Sequence, residues 1–256
     1  MGYNDRYWVD KNARAKKAKE HTSDMEKRFS DKIKKAVDET VCYGNENVVD
    51  TSCENVPKSI VEDIDSVGAI IKYKAGKTAV LNFASFKNPG GMFINGSQAQ
   101  EECLCHESFL YNVLKEKKDY YDYNNEHKNK ALYINRALYT PDVIFEHEGI
   151  TKVCDVITCA APNRSTFIKY NSKPEDEKLN YNTLKDRINF IKRIAEMQNA
   201  ETLILGAFGC GVFAQDAKTV ATLFKEAFAT SNVKTIIYAV PSGRDDKNYK
   251  AFKEVF

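Results

Sequence analysis

The sequence predicts a layered α/β domain, with helices on both faces of a central mixed sheet and a helical extension in front of it. Two observations carry this prediction. Past residue 68, short β-branched runs alternate with helical stretches of roughly 10–20 residues, the pattern of strands linked by covering helices. Ahead of them, residues 1–40 are polar, basic and helix-prone, and Met25, Phe29, Ile33 and Val37 recur every four residues as one apolar stripe. Trp8 is a further apolar anchor there. These features divide the chain into an N-terminal helical extension over 1–40 and a main domain over 41–256.

Taken in order, "GAIIKYKA" and "TAVLNFAS" are β-rich and separated by "GK", which predicts a hairpin or adjacent strands and makes the sheet mixed. "EECLCHESFLYNVLKE" reads as a helix, with Cys103, Leu110, Val113 and Leu114 among its apolar positions. The Tyr- and Asn-rich "DYYDYNNEHKNK" reads as a surface loop with a tyrosine available to stack on an aromatic base, and "HKNKALYINRALYTP" has no clear pattern. "DVIFEH" and "KVCDVITCAA" follow as strands. "YNSKPEDEKLN" reads as a loop before an amphipathic helix that carries Leu184, Ile188, Ile191 and Ile194 on one side. "TLILGAF" and "VKTIIYAV" are buried strands flanking the helix "QDAKTVATLFKEAFA", and "DDKNYKAFKEVF" closes as a last helix.

A chain of 256 residues with 43% hydrophobic and 29% charged residues is long enough to bury a large core. A net charge of +2 does not call for a nucleic-acid partner. Lys16, Lys17 and Lys19 give that reading little support, because acids are interspersed and no aromatic platform accompanies them. No apolar run approaches the roughly 20 residues that span a bilayer, so no membrane is expected. The N-terminal stretch lacks a signal core, and Arg6 stands where a myristoylation signal needs Ser or Thr. Seven scattered cysteines, an odd number, predict reduced thiols and an intracellular, cytoplasmic chain.

Two stretches have the character of a ligand site, each a β-run, a glycine turn and a helix. One is "NPGGMFINGSQAQEE"; the other is "TLILGAFGCGVFAQDAKTV", with Gly206, Gly209 and Gly211. Glycines allow positive φ and let a ligand approach bare backbone, where N–H groups and the next helix's dipole can hold phosphate. The second turn is neither a Walker loop nor a GxGxxG fingerprint. Glu101 and Glu102 stand near a helix start, pointing roughly 100° apart. They suit a first helical turn electrostatically; chemically, one can hold sugar hydroxyls while the other moves a proton at a glycosidic oxygen. Cys103, Cys105 and His106 do not converge on a metal from helical positions, and the four histidines have no HExxH spacing.

Gly90-Gly91, then Met92, a seven-residue spacer and Gln100-Glu101-Glu102 resemble the poly(ADP-ribose) glycohydrolase signature, a glycine run followed after a short spacer by Gln-Glu-Glu. "LNFASFKNPGGMFINGSQAQEE", "DVITCAAPN" and "LILGAFGCGVF" resemble the bacterial-type enzymes in particular, over most of the chain. The resemblance implies a macrodomain-like three-layer α/β/α fold and hydrolysis of ribose–ribose O-glycosidic bonds, releasing ADP-ribose from chain ends without metal or organic cofactor. It assigns Glu102 as acid/base and Glu101 to ribose hydroxyls. It places Gly90 and Gly91 around the diphosphate and sugar. Gly209, Cys210, Gly211, Val212 and Phe213 form a second diphosphate loop, the Phe213 ring lying against the terminal ribose. Asn88, Gln100 and Asn163 complete the substrate-binding set. The partner implied is poly(ADP-ribose) or ADP-ribosylated protein, met by a monomer.

Met92 replaces the family's third glycine. Positive φ there would cost a Met about 1–2 kcal/mol, whereas a need for slimness alone would let the thioether bend aside. Two other functions fit the same residues: a macrodomain that binds ADP-ribose without cutting it, and a hydrolase of single ADP-ribosyl linkages on protein or nucleic acid.

Overall fold

The computed structural model describes residues 10–51, 53–170, 173–243 and 246–256. Trp8 and Arg6, read above from sequence, lie outside them. Helix α1 spans Lys11–Glu39, capped by Asp10, whose carboxylate accepts from the Asn12 N–H. Its stripe is real: Met25 and Ile33 are buried, and Phe29 and Val37 pack at the edge of the same core. Hydrogen bonds between residues distant in sequence add to this docking, among them His21 Nε2 to the Ser108 carbonyl (2.9 Å) and Arg14 Nε donating to the Gly96 carbonyl (2.7 Å).

The sheet contains β1 (Val41–Gly44), β2 (Lys58–Glu62), β3 (Thr78–Phe83), β4 (Arg136–His147), β5 (Ile150–Cys159), β6 (Thr202–Leu205) and β7 (Thr235–Ala239), in the order β1-β4-β5-β3-β6-β7-β2. β4 runs antiparallel to β1 and to β5, and the pairs from β5 through to β2 are parallel. The sheet is therefore mixed, but the β4–β5 hairpin makes it so rather than the pair expected near residue 68.

That pair is where local pattern misled. Ser66–Tyr73 is helix α2, with the Asp65 side chain accepting from the Gly68 N–H (2.7 Å). Val67, Ala69 and Ile70 are fully buried against the sheet. Packing on both sides of a short apolar segment outweighs the β preference of its Val and Ile.

The expected helix after Gln100 is split into α3 (Gln100–His106) and α4 (Leu110–Leu114). Ser108 breaks it: its hydroxyl donates to the Leu104 carbonyl (2.7 Å) and accepts from the Leu110 N–H (3.1 Å). The expected tyrosine loop is helix α5 (Lys118–Glu126), in which Tyr120, Tyr121 and Asn124 are buried. Those two rings are core, and Tyr123 stacks on His127 at 3.9 Å.

α6 spans Arg164–Tyr170. Of the segment expected as a loop before the long helix, residues 171–172 lie outside the described residues, and from Pro174 it is already helix: α7 runs Pro174–Met197 with Pro at its start and Glu175, Asp176 and Glu177 in its first turn. Leu184, Ile188, Ile191 and Ile194 are fully buried. α8 (Ala217–Ala227) and α9 (Lys247–Val255) cover the same sheet face as α7, opposite α1 through α5. β3 serves both layers by alternation, Ala79 and Leu81 toward α7 and Val80 toward α2. Among the described residues no helix is long and apolar enough to cross a membrane.

Candidate active site

β5, β3, β6 and β7 are parallel neighbours, so their carboxyl ends lie at one edge of the sheet, where α/β folds bind ligands. The segments following Phe83, Cys159, Leu205 and Ala239 converge there around a cavity of about 740 Å³, within the range of small-molecule sites. Asn88, Gly91, Gln100, Glu101, Glu102, Asn163, Gly209, Gly211, Val212 and Phe213 all line it; Gly90 and Cys210 stand next to lining residues, behind the wall.

The carboxylate pair is almost closed off from water, Glu101 at 3% and Glu102 at 6% exposure. Glu101 Oε2 accepts from the Ser85 N–H (2.7 Å) and Oε1 from Asn82 Nδ2 (3.2 Å). Glu102 Oε1 accepts from the Met92 N–H at 2.9 Å. Burial, with the neighbouring Glu102 charge adding to it, pushes the Glu101 carboxyl up to about 8, against bonds from Ser85, Asn82 and the Gly90 N–H that favour its ionised form.

Gln100 sets the position of this pair. Its carbonyl accepts from the Phe83 N–H (2.8 Å), and its amide donates to the Leu81 carbonyl (2.8 Å) and to Ser66 Oγ (2.9 Å). The side chain thus bolts the first turn of α3 to the end of β3 and to the start of α2.

The glycines of the first turn have firm geometric reasons. Gly90 (φ +63°) and Gly91 (φ +62°) are left-handed, and a Cβ on Gly91 would lie 2.5 Å from Glu102 Oε1. Met92, by contrast, has φ −114°, so the position that departs from the family pattern does not require glycine. Met92 is 44% exposed and lines the cavity beside Gly91.

The second turn differs. Gly209 (φ +76°) is confined, a Cβ there meeting Ala161 Cβ at 2.7 Å, while a Cβ on Gly211 would meet nothing within 4 Å. Among the described residues, the N–H groups of Gly211, Val212 and Phe213 have no hydrogen-bond partner, which makes a run of donors suited to an anion. The dipole of the following helix is not free to assist as expected, because Asp216 caps α8 by accepting from the Thr219 N–H (2.8 Å). Phe213 packs 6.1 Å from Tyr133, and Asn163 Oδ1 caps α6 through the Thr166 N–H (3.0 Å).

Reading the sequence missed several supports. Asn82, fully buried in β3, holds Glu101; its signal was a polar residue inside an apolar strand. Gln215, also buried, donates to the Pro162 carbonyl (2.8 Å) and pairs with Asn180, tying the second turn to the loop after β5 and to α7. Phe86 stacks on Tyr133 at 4.2 Å across the cavity end. No local pattern announced either of these. Burial pushes the Cys103 and Cys210 thiols up to about 12, so neither supplies a thiolate nucleophile. Among the described residues no three His, Cys, Asp or Glu side chains gather as metal ligands.

In architecture the chain is a macrodomain-like three-layer α/β/α domain. It superimposes on the poly(ADP-ribose) glycohydrolase of Thermomonospora curvata with a TM-score of 0.84 and 24% identity, over 96% of this chain and 100% of that one. The same enzyme bound to the inhibitor ADP-HPD gives 0.83. The Deinococcus radiodurans poly(ADP-ribose) glycohydrolase, solved with ADP-ribose, gives 0.77 and 29% identity, over 87% and 96%. No curated protein sequence matches. The family model for the microbial-type PARG (poly(ADP-ribose) glycohydrolase) catalytic domain matches residues 11–147, and the chain belongs to that family. It is a glycosyl hydrolase acting on poly(ADP-ribose).

Proposed function

We propose that the enzyme releases ADP-ribose from the free ends of poly(ADP-ribose), with Glu102 as its acid/base. The Glu102 carboxyl donates its proton to the departing 2′-oxygen while the bond to the anomeric carbon breaks and an oxocarbenium-like sugar forms. Water then attacks that carbon and gives a proton back to the Glu102 carboxylate. Glu101 holds the ribose hydroxyls, the donor run at Gly211–Phe213 holds the diphosphate, and the Phe213 ring lies against the terminal ribose. Gln100 acts through α3, as a positioning residue.

One observation carries this reading: Glu102 is nearly buried in the cavity wall, yet fixed by the Met92 N–H of the glycine turn at 2.9 Å. A carboxyl so placed is pre-oriented, and the turn that orients it needs no glycine at residue 92. That removes the feature which favoured a non-cleaving binder.

α1 belongs to the catalytic unit in this reading. Its Arg14 grips the carbonyl of Gly96, in the same loop as the carboxylate-holding turn, and the family match begins at α1's first residue. The free thiols fit a reducing, intracellular setting.

The deciding experiment follows free ADP-ribose released from poly(ADP-ribosyl)ated protein by wild type and by Glu102→Gln. Monomeric ADP-ribose as the first product, absent with the variant, is expected. Turnover by Glu102→Gln at the wild-type rate removes Glu102 from its role, and early release of oligomers overturns the end-wise mode.

A further inference from the structure

We propose that a lysine-lined cleft beside the main cavity binds the diphosphate of the penultimate ADP-ribose unit, the part of the polymer that leaves; this rests on the glycohydrolase reading above. The cleft measures about 530 Å³. It shares Lys87, Tyr133 and Asn163 with the main cavity and adds Lys128, Lys130 and Tyr170 of its own.

Three features point to a polyanion. Among the described residues no Asp or Glu contributes to the cleft wall, whereas Asp65, Glu101 and Glu102 all line the main cavity. Among the described residues, Lys87, Lys128 and Lys130 make no ion pair, so their charge is free to meet a phosphate. Tyr170 is 76% exposed at the rim, a ring on which a base can stack.

The backbone adds a further observation. Asn129 (φ +42°), Lys130 (φ +52°), Ala131 (φ +73°) and Tyr133 (φ +63°) are all left-handed without being glycine. Such strain persists only where surroundings over-determine it, and it concentrates at binding sites. Here the Asn163 N–H holds the Ala131 carbonyl (2.9 Å), and Phe86 stacks on Tyr133.

Placement supplies direction. With the terminal ribose against Phe213, the ring beside it is Tyr133, which forms the wall shared by cavity and cleft. Lys87 lies on the same turn as Ser85, whose N–H bonds Glu101. A polymer with its last unit in the main cavity and its scissile oxygen at the carboxylates therefore continues into the lysine cleft. Each unit carries one anionic diphosphate, and the penultimate one is the first that the cleft meets.

The test compares two substrates: poly(ADP-ribose) of defined length, and ADP-ribose carrying an uncharged aryl alcohol at the scissile position. Lys128→Glu/Lys130→Glu alters only side chains confined to the cleft. At low salt we expect kcat/KM on polymer to fall about tenfold or more, and the log–log salt dependence to flatten by about 1.4, at roughly 0.7 per phosphate contact. Activity on the aryl substrate should stay at the wild-type level. The Lys→Gln pair should reproduce the flattened salt dependence with a smaller loss. Equal losses on both substrates, or no loss on polymer, would overturn the subsite. Failure of wild type to cleave polymer at all would instead sink the glycohydrolase reading, and is visible before any variant is made.

Discussion

The two glycine turns look alike in sequence and differ in what their backbone N–H groups do. In the first, the Met92 N–H bonds Glu102, the Gly91 N–H bonds the Asn88 carbonyl (3.1 Å), and the Phe93 N–H bonds the Gly90 carbonyl (3.0 Å). Its donors are spent on the carboxylates and on the turn itself. In the second, among the described residues, Gly211, Val212 and Phe213 keep theirs, and Val212 is 85% exposed. Glycine serves the first turn by letting two buried acids touch bare backbone, and serves the second by leaving room for an anion. The first is an instrument for holding protein charge; the second is a receptor for ligand charge.

Substitutions can separate the two. The largest effect belongs to Glu102→Gln, which should lower turnover by about 10²–10⁴-fold while calorimetry finds ADP-ribose binding largely intact. Comparable loss of binding would mean that the carboxylate holds ligand rather than moves a proton.

Gly91→Ala should cost about 1–2 kcal/mol in chemical denaturation from its left-handed φ, with a further loss of turnover because the new Cβ displaces Glu102. Gly211→Ala, facing open space without positive φ, should stay within about 0.5 kcal/mol of wild type. Equal costs at the two sites would erase the contrast.

Glu101 gives the pH signature. Its pKa is raised from 4.5 to about 8, so between these values the folded state holds a proton that the unfolded state has lost. The stability this contributes is complete below about 4.5 and fades as pH rises toward 8. Glu101→Gln cannot ionise, so its Tm relative to wild type should climb across that window. A difference flat in pH would contradict the assignment. A small effect is expected of Met92→Gly, which should lower stability by only about 0.5–1 kcal/mol through unfolded-state entropy. A gain in stability would mean that Met92 is strained despite its φ of −114°.

The stripe on α1, the apolar face of α7, the strands β5 to β7 and the second half of β4 were readable from their apolar runs, whereas residues 136–141, the first half of β4, carried no clear pattern. The motif from Gly90 to Glu102 likewise carried its chemistry on its surface. Short apolar segments were not readable in this way. Ser66–Tyr73 is a helix and Lys118–Glu126 is not a loop, since packing on several sides overrides the preference of eight or nine residues.

What the sequence determined by itself is which faces are buried and which two acids stand together, both properties of residues close along the chain. The tertiary structure alone decided that Glu101 is the acid raised by burial, that Met92 escapes positive φ, and that one glycine turn spends its donors while the other keeps them. Those outcomes depend on desolvation and on hydrogen-bond partners such as Asn82, Ser85 and Gln215, which lie 19, 16 and 53 residues from the groups they govern. Only folding brings them within bonding distance.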